Sequence, residues 1–339
     1  MNVLLLHTDQ QRFDTIAAHG NACIATPNID RLVKDGTSFM RAYSSNPICM
    51  PARHDLITGA SARHHGYWEN TGRPIADYAL NTVPRLLSRQ GVQTMAVGKM
   101  HFFPTREHHG FNHMDLMEEL PESREDDAYL AYLAQHDYGR LRCEHGVRPL
   151  FYHTPQAARV PDAHHGSAWV AHKTIEHLQT ERKAPFFIFA SWVGPHPPYY
   201  VPQPYLDRYR DRPLPELLSN ARCTRQAPAS PENADGERLR RMREAYYGAI
   251  TFIDVQIGRI LDALDATGQR DNTLIIFTTD HGESLGDNGT YQKMLPYDSC
   301  ARIPLIVCGP GFEAGRCVQT PVTTWDVSTT IFKPCKRVG

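Results

Sequence analysis

The chain has 339 residues, of which 41% are hydrophobic and 22% charged, and a formal net charge of −1. That length suffices to bury a large core in one main domain, and the charge balance gives no electrostatic case for nucleic acid or an anionic membrane as a partner. No stretch approaches the roughly 20 apolar residues of a membrane span. Val3-Leu4-Leu5-Leu6 sits too near Met1, without a basic leader or cleavage site, to read as a signal peptide. A cytoplasmic setting follows as an expectation, with the eight Cys as free thiols. They form no C-x-x-C pair, so a structural zinc site is not expected.

Val3 to Thr8 reads as a buried strand running into Asp9-Gln10-Gln11-Arg12. Loops at the carboxyl ends of parallel strands carry the ligands of α/β sheets, and an Asp with a Gln offers two hard oxygen donors to one cation. Equally, Asp9 could cap a following helix. Thr26-Pro27 starts a helix, with Thr26 as cap, that ends near Gly36; Ser38 to Ser44 reads as a second strand. Next comes Asn46-Pro47-Ile48-Cys49-Met50-Pro51-Ala52-Arg53. Pro51 suits the first turn of a helix and Gly59 its far end. Cys49 is then expected just ahead of the helix, at the positive end of the dipole, with Arg53 reaching back towards it; that is the setting of a reactive thiol. A lone Cys is more often a small buried thiol. Asn70 reads as a contact to a bound oxyanion or as an ordinary loop Asn.

Thr82 to Gln90 is an amphipathic helix, and Val92 to Val97 a strand leading into Gly98-Lys99-Met100-His101-Phe102. From spacing alone, a surface Lys and a half-buried His are the plainer reading of Lys99 and His101. His108-His109-Gly110-Phe111 reads as structural. From 115 to 166 the periodicity is poor and the charge high, as in a surface insertion that shapes a pocket. Arg106, His113, His145, His153, His164 and His165 are its unranked candidates for substrate contact.

Ser167 to Glu181 is a helix, and Pro185 to Trp192 an apolar strand that delivers Gly194-Pro195-His196-Pro197-Pro198. The prolines fix the backbone around His196, and a rigid His at a strand end can hold or protonate a leaving oxygen. The Pro-rich stretch 202–235 reads as loop. Glu237 to Thr267 is a long helix with Tyr246, Ile250, Ile253, Ile257, Ile260, Leu261 and Leu264 as its buried stripe. The strand Thr273 to Thr279 ends in Asp280-His281, a carboxylate and an imidazole for a cation, with Lys293 shortly after. Ile303 to Cys308 is a further strand and Trp325-Asp326-Val327 begins a late helix. Strands alternating with helices, without repeats, predict an α/β sandwich on a mostly parallel sheet.

Cys49-x-Pro51-x-Arg53, followed by a short helix and Thr58-Gly59, resembles the sulfatase signature, with Ala52 where Ser is usual. Asp9-Gln10 resembles the first metal pair of sulfatases and phosphonate monoester hydrolases, and Gly98-Lys99-x-His101 and His196-x-Pro198 the family's anion-binding patterns. Asp280-His281-Gly282-Glu283-x-Leu285-Gly286-Asp287 resembles its second metal motif, with Asn288 where a His is common. The resemblance runs from Asp9 to about Asp326.

It implies an alkaline-phosphatase-like fold with residues 1–332 as catalytic domain and 115–166 and 202–235 as insertions. It also implies Cys49 oxidised to formylglycine (3-oxoalanine), by a formylglycine-generating or anaerobic sulfatase-maturing enzyme. Asp9, Gln10, Cys49, Asp280 and His281 would hold one divalent metal, Ca2+ by analogy, with Mn2+ also compatible with a His ligand. Arg53, Lys99, His101, His196 and Lys293 would complete the catalytic set. The implied reaction is hydrolysis of a small sulfate ester, such as a sulfated carbohydrate, choline sulfate or an aryl sulfate. The alternatives are phosphonate monoester or phosphodiester hydrolysis, or an inactive shortened homologue. Family members continue into a small C-terminal subdomain. The basic stretch 333–339 therefore reads as an aberrant or truncated tail that leaves an apolar sheet face and one pocket wall uncovered.

Overall fold

A computed structural model describes residues 1–71, 81–219 and 236–332. The expectations for 220–235 and for the tail 333–339 lie outside the described residues. Eight strands make the main sheet: β1 (Asn2–Asp9), β2 (Gly36–Phe39), β3 (Gln93–Gly98), β4 (His113–Leu116), β5 (Phe186–Pro195), β6 (Thr273–Thr279), β7 (Leu305–Cys308) and β8 (Arg316–Val318). Their spatial order is β8-β2-β7-β6-β1-β5-β3-β4. All pairings are parallel except those of β7, which runs against β6 and β2.

The apolar runs read in the sequence are the central strands, and their alternation feeds two cores. Leu4 and Leu6 of β1 face one side, with Ile188 and Ala190 of β5. There they meet α5 (Gly166–Gln179), through Trp169, Val170 and Leu178, and the 31-residue α6 (Gly236–Ala266). Of the stripe predicted for α6, Ile253, Ile257, Ile260, Leu261 and Leu264 pack here. Tyr246 and Ile250 join a separate cluster beside it. Val3 and Leu5 point the other way, onto α2 (Cys49–Thr58), α3 (Val83–Arg89) and α7 (Thr324–Phe332), through Leu56, Ile57, Leu87, Val327 and Ile331. The result is a three-layer α/β sandwich.

Several boundaries differ from the sequence reading. The stretch Ser38–Ser44 is interrupted after Phe39, and only Ala42–Tyr43 resumes as a short strand in a separate three-stranded sheet. Pro304, which cannot donate to a ladder, splits Ile303–Cys308 between the two sheets. The helix Pro27–Asp35, α1, is capped from a distance. Asp254 of α6 accepts from Asn28 N (3.0 Å) and Ile29 N (2.7 Å), while Thr26 receives Ala17 N. The stretch 115–166 is not wholly superficial either. Its helix α4 (Ala128–Gln135) buries Tyr129, Leu130 and Leu133 in the first core, because its alanine- and leucine-rich turn is apolar enough to displace water. Among the described residues no helix is long and apolar enough to cross a membrane.

Candidate active site

The chemistry-bearing residues converge at the carboxyl ends of β1, β3, β5 and β6, with the N-terminus of α2 facing them. Asp9 ends β1, Asp280 and His281 follow β6, Lys99 follows β3, and His196 follows β5. Cys49 is the first residue of α2 rather than a residue ahead of it. Ile48 holds the extended cap position, and Pro51 falls inside the first turn, where no N–H is required. Asn70 sits beside the start of α2, where its side-chain oxygen accepts Met50 N at 2.9 Å and so closes the first turn. Gly59 ends the helix in the left-handed conformation, its N–H on Asp55 O.

Arg53 is fully buried and ties the cluster together. It donates from Nη2 to Asp9 Oδ2 (2.9 Å) and from Nε to Asp280 Oδ2 (3.0 Å). Its Nη1 reaches Lys99 O (2.7 Å) and Ser191 Oγ (3.0 Å). Its contact is therefore with the carboxylates rather than with the Cys49 sulfur. Lys99 Nζ stands 2.9 Å from Asp9 Oδ2 and 3.2 Å from Glu119 Oε2. Lys293 Nζ meets three groups: Cys49 Sγ at 2.8 Å, Gln10 Oε1 at 2.9 Å and His196 Nε2 at 2.9 Å. Cys49 Sγ is also 3.2 Å from His281 Nε2, and His101 lies close by.

Burial and the nearby Asp9 oppose ionisation of Cys49, but Lys293, His281 and His101 outweigh them, and the thiol is held well below its usual range. Burial works against the charged forms of Lys99 and Lys293. Asp9 and Glu119 around Lys99, and Cys49 and Asp9 around Lys293, prevail and keep both above the ordinary lysine value. Asp9 itself is desolvated, yet Lys99, His196 and Arg53 pull it well below the usual carboxylate range. Asp280 moves the other way, raised by burial and by Asp9 beside it. Two carboxylates this close, each gripped by Arg53, leave room for a further cation.

The donor chemistry fits one. Asp9, Cys49, Asp280 and His281 each bring one ligand atom within 4.8 Å of the others, all buried. His281 Nδ1 lies 2.9 Å from Gly282 O; that bond fixes the proton there and leaves the Nε2 lone pair aimed into the cluster. Asp280 Oδ1 accepts Gln10 N (3.0 Å) and His281 N (2.9 Å), so the loop carrying the donors is itself anchored. Gln10 donates its amide to Glu283 and turns its oxygen towards Lys293.

The candidates proposed for catalysis and metal binding are thus gathered in one place. Of the candidates from the 115–166 stretch and its flanks, His145 and His165 line a cavity beside this cluster. Arg106 binds Asp126 O, His164 lies among Tyr129 and Tyr132, and His165 pairs with Tyr200 O. His113 pairs with Asp115. His153 stacks on Tyr291, and His145 is bonded to Glu119 O. Asn288 occupies a turn, its N–H on Leu218 O.

Glu118 and Glu119 escaped the sequence reading. Glu118 Oε1 accepts both Met100 N and His101 N at 2.9 Å, holding His101 at a φ of 57°. Glu119 sits among Lys99, Arg148 and His196. Their position just after β4, at the same sheet edge, was the available signal. Beside them lies a small cavity lined by Glu119, His196, Glu144, His145, Trp192 and Tyr199 among others.

A family profile described as sulfatase matches residues 1–334. An arylsulfatase of Clostridium perfringens is 32% identical over 343 residues, covering 91% of this chain and 69% of the relative. A choline-sulfatase of Rhizobium meliloti is 28% identical, covering 97% of this chain and 66% of the relative. The crystal structure of a phosphonate monoester hydrolase of Agrobacterium radiobacter superposes with a TM-score of 0.85 at 29% identity, covering 98% of this chain and 73% of that one. The chain thus spans about two thirds of the length of these curated relatives. With the profile matched across nearly all of the sequence, and the fold shared, this chain belongs to the sulfatase family of sulfuric ester hydrolases, within the alkaline-phosphatase superfamily.

Proposed function

We propose that the chain hydrolyses a sulfate monoester to an alcohol and sulfate, using a formylglycine at position 49 and one divalent cation held by Asp9, Gln10, Asp280 and His281. The observation that carries this reading is the gathering of Asp9, Cys49, Asp280 and His281 within 4.8 Å of one another, with Lys293 at 2.8 Å from the Cys49 sulfur. A divalent cation there supplies positive charge and makes a hydroxyl at position 49 easier to deprotonate. A hydrated aldehyde supplies two hydroxyls on one carbon, one to attack sulfur and one through which sulfate is later expelled.

The remaining steps belong to the side chains. Lys99 and Lys293 place two ammonium groups where charge gathers on the sulfuryl oxygens, and both stay charged because their neighbours hold them above the ordinary lysine value. His196 Nε2, 2.9 Å from Lys293 Nζ, is set to hold or protonate the leaving oxygen. His101 lies close to position 49 and is the group that takes a proton from it when sulfate departs. Arg53 holds Asp9 and Asp280 in place throughout.

The substrate is a small sulfate ester; the likeness to a choline-sulfatase and an arylsulfatase supports esters of choline or of a phenol, with sulfated carbohydrates in the same class. The Asp9-Gln10 pair and the phosphonate monoester hydrolase neighbour favour phosphonate monoesters as the second reading. A formylglycine-generating or anaerobic sulfatase-maturing enzyme is the implied partner.

The test has two parts. After co-production with the modifying enzyme, the tryptic peptide Ala42–Arg53 should be about 18 Da lighter than its Cys form, and elemental analysis should show at least one divalent metal per chain. The modified protein should then show a higher kcat/KM for an aryl sulfate than for an aryl phosphonate ester. An unmodified thiol under those conditions removes the mechanism; the reverse preference moves the assignment to phosphonate esters.

A further inference from the structure

Metal-ligating side chains also meet outside the active-site cluster, on the sheet's edge strand. His113 and Asp115 stand two residues apart on β4 and so project from the same face. His177, in the last turn of α5, reaches across to them. His177 Nε2 lies 2.8 Å and His113 Nε2 3.1 Å from the same oxygen, Asp115 Oδ2. The two rings are 5.1 Å apart, inclined at 68°. One donor atom from each of the three residues lies within 4.8 Å of the other two.

We propose that His113, Asp115 and His177 form a second metal site, separate from the active site, that takes a borderline divalent ion of the zinc class. Two imidazoles and one carboxylate are a donor set that zinc accepts in four-coordinate sites, with water in the fourth position. Calcium and magnesium are poorly served, because the trio offers few hard oxygens. The spacing is close to what the ion needs. With Zn–N of about 2.0–2.1 Å, tetrahedral donors stand about 3.3 Å apart. The two nitrogen-to-oxygen separations already approach that, and rotation of His113, which is 55% exposed at its side chain, can bring its nitrogen into position. The same exposure gives the ion an entry path and leaves the fourth position to solvent. Asp115 and His177 are more enclosed and are carried by a strand and a long helix, so two of the three ligands are held by the fold.

The surroundings tolerate the added charge. Lys173, which acts on Asp115, pairs with Glu176, and Arg182 is bound to His177 O. An ion here would lock the edge strand to α5. That strand runs directly on to Glu118 and Glu119 at the active site. The competing arrangement is a hydrogen-bonded trio in which one carboxylate serves two imidazole N–H groups and no metal binds.

Cobalt(II), which gives strong visible absorption in four-coordinate sites, is the probe. It is titrated at pH 7.5 into the enzyme already carrying its active-site metal, and zinc is then added as competitor. The expected result is one equivalent of cobalt with a visible band, displaced by zinc, and a raised unfolding temperature with zinc. His113→Ala and His177→Gln should each weaken binding at least tenfold while leaving kcat unchanged, their metal-free melting curves reporting that they fold. A band that persists unchanged in both variants would assign the cobalt to the active site, and no band in the wild type would leave only the hydrogen-bonded trio. Either result overturns the proposal.

Discussion

Lys293 Nζ lies 2.8 Å from Cys49 Sγ and, on its other side, 2.9 Å from His196 Nε2. One ammonium thus bridges the position proposed for the nucleophile and the group proposed to serve the leaving oxygen. A charge placed there acts on the transition state more than on bound substrate, because negative charge grows on the transferred group and the departing oxygen together. Lys293→Ala is expected to lower kcat by roughly 10²–10³, with a much smaller change in KM. Steady-state kinetics on an aryl sulfate with fully modified enzyme is the check; an equal loss confined to KM would assign Lys293 to ground-state binding instead.

Arg53 makes a different contribution, to the integrity of the site. Its guanidinium has no exposure and spans Asp9 and Asp280. Burial alone would discourage its charge, but the two carboxylates raise it above the ordinary arginine value. Arg53→Met leaves two desolvated carboxylates facing each other. The cost of breaking such a buried pair is about 3–5 kcal/mol. Chemical denaturation of the metal-free protein should show that loss, and added divalent metal should restore part of it by taking over the neutralising role.

Much of this site was legible before any coordinates. A parallel α/β sheet collects its ligands at one edge, so Asp9, Lys99, His196 and Asp280, each at the end of an apolar run, had to share that edge. The helix from Cys49 to Gly59 declared itself through Pro51 and a terminal Gly. The residues that were missed act across large sequence separations. Asp254 caps a helix more than 200 residues upstream. Glu118 and Glu119 follow a strand only four residues long, with too few turns of periodicity to announce it. The break at Pro304 was visible in principle, but an apolar run on both sides masked it.

Asp254 gives a direct test of that remote cap. Burial raises its carboxyl to about 6, while the N–H groups of Asn28 and Ile29 pull the other way. Asp254→Ala removes the acceptor for both amides and for the Asn28 side chain at 3.0 Å. Loss of a cap together with buried unpaired donors should cost about 2–3 kcal/mol. Asp254→Asn, which keeps one acceptor oxygen, should recover roughly half. Equal destabilisation by the two variants would show that the charge, not the acceptor, matters.

Glu144 sets a pH dependence of opposite sense to that of an ion-paired carboxylate. It is buried, and desolvation pushes its carboxyl up to about 8, against the pull of Gly166 N. Both Tyr129 OH and Gly166 N address the same oxygen, Oε1, so the neutral acid satisfies them as well as the anion does. A folded-state pKa above the unfolded value of 4.5 means that the folded protein holds this proton more tightly. The resulting stabilisation is complete below the unfolded pKa and drains away as pH rises through about 8, by up to about 1.4 kcal/mol per pH unit in between. Glu144→Gln keeps the acceptor and cannot ionise. Its stability relative to the wild type should therefore climb steadily from pH 5.5 to 8.5, as measured by urea unfolding at a series of pH values. A difference that stays flat over that range would mean that Glu144 is ionised in the folded protein.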